Sequence, residues 1–354
     1  MARSAPGTDS AKRGALKSCG TSEGVDAILL AGGYGTRLRP LTYTRPKPLV
    51  PLAGRPMLEW VLDRLPAEVD HVVLAVNWLA EALERHVRDH PRGIEVTVVR
   101  EAEPLGTAGA VKNCEAHLRS DALLVLNGDI VSDMDLAALV RLHRVEEGAG
   151  VISLKEVPLA EVVQFGVVEP APGPGCAEVP EAVRIARFVE KPKSPAEAPS
   201  RLINAGAYVL DRKVLDLIPP GRLVSMEKEV FPKLIPQGFW GLPFEGAWID
   251  VGDPDRLRQA SRHLDPDHVM GPDGRVATTA LFEDSLAGRM LLVGSNAVVR
   301  RCILGDNVTV RAGVVLEECV VGDRETVDRS ARGERIWSRE VPLGYPAQQV
   351  GNAL

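Results

Sequence analysis

From Val25 onward, short apolar runs alternate with stretches of helical spacing. Val25–Leu30 is nearly all apolar and stops at Gly32-Gly33, the pattern of a buried strand feeding a tight turn. Met57, Leu58, Val61, Leu62 and Leu65 then fall on one helical face. A second apolar strand is expected over 71–77, and Leu79, Leu83 and Val87 recur at helical spacing. The β-branched run 94–101 predicts a third strand. A helix over 107–118, a strand ending at Asp129, a helix over 135–147 and a strand over 150–157 follow. Strands alternating with helices predict a parallel, doubly wound sheet, with ligands at the carboxyl ends of its strands. The glycine loop, Glu101 and Asp129 all fall at such ends.

After Leu159 the texture changes. Strands are expected over 162–170, 183–192 and 203–210, and 225–235 reads as a helix broken at Pro232. The stretch 243–260 reads as a strand, a turn and a helix. Beyond Leu264, Leu292, Val298, Leu304, Val310 and Leu316 recur every six residues, as do Val308, Val314 and Val320. That period predicts a parallel β-helix, each six residues forming one side of a coil. It fades after Asp323. The expected division is a flexible tail over 1–24, a main domain over 25–264, a short β-helix over 265–330 and a C-terminal tail over 331–354.

Composition narrows the class. With 45% hydrophobic and 25% charged residues the 354-residue chain reads as an ordinary globular protein, and 4% aromatics leave its cores to aliphatic side chains. A net charge of −6 gives no basic field for nucleic acid or an anionic membrane, so cations that handle phosphates must gather in one cleft. Cys19, Cys114, Cys176, Cys302 and Cys319 form no CxxC pair and read as reduced thiols. The seven histidines show no HxH or HExxH spacing, which disfavours zinc. The start lacks the apolar run of a secretory signal, and no run reaches transmembrane length; a cytoplasmic protein is expected.

The chemistry begins at Gly32-Gly33-Tyr34-Gly35-Thr36-Arg37. Glycines after a strand let backbone N–H groups approach phosphate oxygens closely. Neither a Walker A loop nor GxGxxG spacing is present, and a glycine loop alone is most often a βα turn. Arg37 in the loop, and Lys47 between Pro46 and Pro48, make a stiffened polyphosphate clamp the stronger reading. Asp129 and Asp250, taken singly, read as turn or capping residues.

The run LLAGGYGTRLRPLTYTRPKPLVPLAGRPMLEW resembles the N-terminal signature of the sugar-1-phosphate nucleotidylyltransferases, or nucleoside diphosphate sugar pyrophosphorylases. EPLGTAGAV, LNGD, FGVVE, FVEKP, INAGAYVL, MEKEVFP and WIDVGDP match in order, so the resemblance covers roughly Val25 to Arg262 and a shortened hexapeptide tail. SMEKEVFP and EPLGTAG are most similar to the mannose-1-phosphate guanylyltransferases. The resemblance implies a Rossmann-like doubly wound mixed sheet of the nucleotide-diphospho-sugar transferase type, followed by a left-handed parallel β-helix. It implies attack of a sugar 1-phosphate oxygen on the α-phosphorus of an NTP, with loss of pyrophosphate. Arg37, Lys47, Asp129 and Lys191 are then catalytic. Leu30, Gly32, Gly33, Gly35, Thr36, Glu101 and Gly106 hold the nucleotide, and Glu101 accepts from a guanine edge. Gly166, Glu190, Lys191 and Asn204 hold the sugar phosphate, and Asp129 and Asp250 bind Mg²⁺.

GTP and mannose 1-phosphate are the expected substrates, and a homo-oligomer the expected assembly. dTTP, UTP or ATP, and other hexose, heptose or cyclitol 1-phosphates such as valienol 1-phosphate, remain open. A non-catalytic regulatory paralogue should lack the loop cations or the acids, which this chain retains. An acyltransferase on the hexapeptide coil is disfavoured by its shortness and its lack of histidine. The short repeat also puts family-style oligomer assembly in doubt.

Overall fold

The computed structural model describes residues 24–342 and Tyr345, apart from 147, 174 and 268. Cys19 and nearly all of the expected N-terminal tail lie outside these residues. Nine strands form the main sheet: β1 Val25–Leu30, β2 Val69–Val76, β3 Glu95–Arg100, β4 Ala122–Asn127, β5 Gly150–Glu156, β6 Gly166–Pro170, β7 Val183–Glu190, β8 Leu202–Asp211 and β9 Phe239–Pro243. Their order is β3-β2-β1-β4-β8-β5-β9-β7-β6. The first four are parallel, in the 3-2-1-4 order of a doubly wound fold, so β1 and β4 flank its switch point.

The wholly parallel sheet expected from apolar runs is corrected at β8, which is antiparallel to both β4 and β5. β7 likewise runs antiparallel to β9 and β6. A buried apolar run has the same composition in either direction, so the pattern carried no sign of the reversal. The sheet is mixed, as the resemblance implied.

Strand alternation divides the core. Ile28, Val73, Leu123 and Tyr208 face one side, with helix α3 (Gly106–Asn113) packed there. Ala27, Leu29, Val72 and Leu124 face the other, against α1 (Met57–Leu62), α2 (Ala80–Asp89) and α4 (Leu136–Val145). Buried His71 lies 3.0 Å from both Asp26 and Thr97, joining β1, β2 and β3. Pro232 does not end a helix as expected. Met226–Val230 is a π-helical turn, and Pro232 sits in the first turn of α5 (Phe231–Leu234), where its missing N–H costs nothing.

After helix α6 (Pro254–Leu264), short strands stack into three parallel four-stranded sheets. The coils span seventeen residues, shortening to fifteen in the last, so Val276, Val293, Val310 and Val327 stand in one column. The sides of six, five and six residues explain where the hexad pattern slipped. Leu304, Val308, Val310, Val314 and Leu316 point into the coil, but Leu292 is 47% exposed. Val320 packs outside the coil with Leu38, Leu41 and Ile249 of the main domain. Strand pairing continues past the expected limit of 330, through Ala331–Arg332 and Arg335–Ile336. Among the described residues no helix is long and apolar enough to cross a membrane.

Candidate active site

The chain leaves β1 into the glycine loop. Gly35 adopts φ 58, and a Cβ there would stand 2.7 Å from Thr42 Cγ2. The loop is fastened from three sides. Gly33 N–H donates to Asn77 Oδ1 at 3.1 Å, Thr42 Oγ1 donates to the Gly35 carbonyl, and Tyr345 Oη donates to the Tyr34 carbonyl. A cleft of about 360 Å³ opens beside it. All seven residues expected to hold a nucleotide line it: Leu30, Gly32, Gly33, Gly35, Thr36, Glu101 and Gly106. Tyr34, Asn77, Pro104, Thr107 and Ala110 complete the wall.

Glu101 follows β3 and is 8% exposed. Burial raises its carboxyl pKa above the ordinary value, and the Leu105 N–H donating to Oε2 at 3.1 Å offsets this in part. Helix α3 starts at Gly106, φ 72, where a Cβ would lie 2.6 Å from the Val224 carbonyl oxygen. That oxygen accepts from Ala108 and Gly109 N–H, closing the helix start. Thr107 Oγ1 accepts from Met226 N–H and donates to Glu227. Glu227 thus stands between the cleft and Glu190, whose pKa is raised by burial and then by the Glu227 charge. Glu227 lies inside the quoted MEKEVFP run. Asn77 is the polar residue that ends the second apolar run, and that strand-end position was its only signal.

The cations and acids meet beside the loop, where Lys47 packs against Gly35. Lys47 Nζ lies 2.7 Å from Asp129 Oδ2. Asp129 ends the chain leaving β4, and its carbonyl accepts from Val251 N–H. Ile130–Ser132 pairs antiparallel with Trp248–Asp250, which brings Asp250 beside Asp129. Asp250 has its pKa raised by burial and by the Asp129 charge, while Lys47 and Arg37 pull it down. The Arg37 guanidinium packs against Gly252. Arg37, Lys47, Asp129 and Asp250 therefore form one charge cluster, though they lie far apart in sequence.

The expected sugar-phosphate residues share the other half of the sheet. Gly166 pairs with Glu190 across the β6–β7 ladder. Lys191 sits in the turn at φ 46, its N–H donating to the Phe165 carbonyl and its ammonium 3.9 Å from Glu190. Asn204 Oδ1 accepts from Gly206 N–H at 2.9 Å, at the irregularity in β8. No cluster of three or more His, Cys, Asp or Glu able to hold a metal occurs among the described residues.

A strand order that switches beside a glycine loop, with cations and carboxylates at the strand ends, defines an α/β phosphate-handling site, and the chain belongs to the nucleotidyl transferase family, whose pattern matches residues 26–266. It is 38% identical over 245 residues to a mannose-1-phosphate guanylyltransferase of Mycobacterium tuberculosis, covering 68% of this chain and 64% of that one. It is 40% identical over 233 residues to a mannose-1-phosphate guanyltransferase of Eremothecium gossypii, covering 64% and 61%. The match thus spans somewhat less than two thirds of these relatives' length. Among solved structures it is similar to HddC from Yersinia pseudotuberculosis complexed with GMP-PN, at 27% identity and TM-score 0.52, covering 68% of this chain and 99% of that one. A UDP-glucose pyrophosphorylase complexed with UDP-glucose shares the fold, at 21% identity and TM-score 0.59 over 68% and 98% of the two chains.

Proposed function

We propose that the protein transfers GMP from GTP to mannose 1-phosphate, giving GDP-mannose and pyrophosphate. The observation that carries the reading is the convergence of Arg37, Lys47, Asp129 and Asp250 beside the glycine-loop cleft. The mannose specificity is taken from the relatives at 36–40% identity. A sugar-phosphate oxygen bonds to the α-phosphorus while the α–β phosphoanhydride bond breaks and pyrophosphate departs. Such a step requires in-line positioning and charge neutralisation more than covalent help. Arg37 and Lys47 neutralise the transferring and leaving phosphates. Glycine-loop N–H groups hold phosphate oxygens, and Lys191 holds the sugar phosphate as a point charge. Glu190 and Asn204 meet sugar hydroxyls, and Gly166 leaves room beside them. Glu101 accepts from guanine N–H groups, a role in keeping with the GMP-PN carried by one structural relative.

Mg²⁺ fits this donor set. Asp129 and Asp250 offer only oxygen, stand close enough to feel one another's charge, and leave the remaining ligands to phosphate oxygens and water. When bound, the ion supplies positive charge and a fixed phosphate orientation.

The test is pyrophosphate release across a matrix of NTPs and sugar 1-phosphates with Mg²⁺. GTP with mannose 1-phosphate should turn over fastest. A matrix with no active pair would sink the enzyme reading, whereas a preference for another NTP would remove only the guanylyl assignment. Asp129→Asn should lose about 100-fold or more in rate with its circular dichroism unchanged; undiminished Mg²⁺-dependent turnover would refute the metal role.

A further inference from the structure

Aromatics are scarce in this chain, yet three of its four tyrosines and two of its five tryptophans meet at one place beside the cleft. Tyr345 stands at the centre, beyond the last β-helix strand. Its ring lies 5.1 Å from both Tyr43 and Trp78 and 5.7 Å from Tyr34, centroid to centroid. The Arg39 guanidinium sits 4.6 Å over its ring and donates from Nε to its hydroxyl at 3.0 Å. That hydroxyl donates in turn to the Tyr34 carbonyl at 2.9 Å. Tyr345 is 7% exposed.

The Tyr34 carbonyl belongs to the glycine loop itself. Because the peptide is planar and trans, fixing that carbonyl also fixes the Gly35 N–H, which points the opposite way. Tyr34 and Gly35 both line the nucleotide cleft. A glycine loop has many conformations to lose when phosphates bind, and a side chain that holds it beforehand removes part of that cost. Asn77 and Thr42 fasten Gly33 and Gly35 from within the main domain; the hold on Tyr34 between them comes from the far end of the chain.

We infer that Tyr345 is a positioning residue for nucleotide binding: its hydroxyl latches the Tyr34–Gly35 peptide and so couples the segment beyond the β-helix to the phosphate loop. The inference rests on the proposed nucleotidyl transfer for its kinetic consequence, but not for its structural one.

The test uses the full chain and Tyr345→Phe, which keeps the ring and removes only the hydroxyl. Amide hydrogen exchange over 32–39 should quicken in the variant without nucleotide, while exchange in the main-sheet strands stays as in the parent. The NTP KM should rise about fivefold, the scale of one lost hydrogen bond, with the sugar-phosphate KM unchanged. Tyr345→Ala, which also removes the ring, should raise the NTP KM further. Unchanged exchange over 32–39 would overturn the latch, and so would an equal rise in both KM values or none in either. A wild-type chain inactive on every substrate pair would sink the proposed activity instead, and exchange alone would then decide the latch.

Discussion

In the proposed contact with guanine, Glu101 would join burial to recognition. Only its ionised form can accept two N–H groups of guanine, and burial favours the neutral form. GTP affinity should therefore weaken on acidification at a pH above the ordinary carboxyl value of 4.5. KM for GTP measured between pH 4.5 and 8 should show this limb in the wild type. Glu101→Gln should lose it and bind GTP about tenfold or more weakly at neutral pH. A variant with the parent's pH profile would assign the base contact elsewhere. The place of Glu101 in the cleft wall was legible because it ends a strand beside the EPLGTAG run. Asn77 and Glu227 were not, since a polar residue at a strand end or in a charged run has many ordinary explanations. Tyr345 lies in a segment with no rhythm at all, and only three-dimensional proximity to Tyr34 gives it meaning.

At the scale of elements, apolar rhythm served best where one face or both faces of a strand are buried. Strands β1 to β4 and the helices between them lie where the pattern placed them, and the glycine loop falls at the switch point. Direction was illegible, because β8 is apolar in either sense and only its register with β4 and β5 reveals the reversal. In the coils the hexad pattern found the architecture and missed its phase, since one side in three holds five residues. Leu316 is fully buried in the coil core. Leu316→Ala should cost about 2–5 kcal/mol, read by chemical denaturation. Leu292→Ala, on the exposed outer face, should cost little. Equal losses would mean that the inner and outer assignments are wrong.

Across the whole molecule, the β-helix grips the segment that connects the glycine loop to Lys47. Arg45 lies 2.6 Å from Asp323 and 3.1 Å from Asp306. Burial alone would raise the Asp323 carboxyl, but the charge and hydrogen bond of Arg45, with hydrogen bonds from Thr44 and the Asp306 N–H, together outweigh it and hold its pKa below the ordinary 3.8. A lowered folded-state value means that the stabilisation is whole above pH 3.8 and is lost as pH falls through the folded value beneath it. Asp323→Asn should lose about 2 kcal/mol at neutral pH, less than for a fully broken buried pair because Asp306 remains. The gap between wild type and variant in denaturant titrations should close below pH 3.8; a gap that is constant with pH would show that the pair contributes packing and not charge.

The same grip is nearly self-similar. Asp306 and Asp323 lie one coil apart, and so do Leu286, Ile303 and Val320, which all face the main domain. Slid by one coil, roughly 4.8 Å, the β-helix would offer Arg45 another carboxylate and the apolar patch another branched side chain. A repeating surface is a ruler without a zero mark. The contacts beyond the repeat supply one, because Arg335 on the Arg39 carbonyl, Trp337 on Tyr43 and Tyr345 under the glycine loop have no copy a coil away. Sequence can be gained or lost from this stack in whole coils more safely than in hexads, provided that the unrepeated end still lands on the same few aromatic rings.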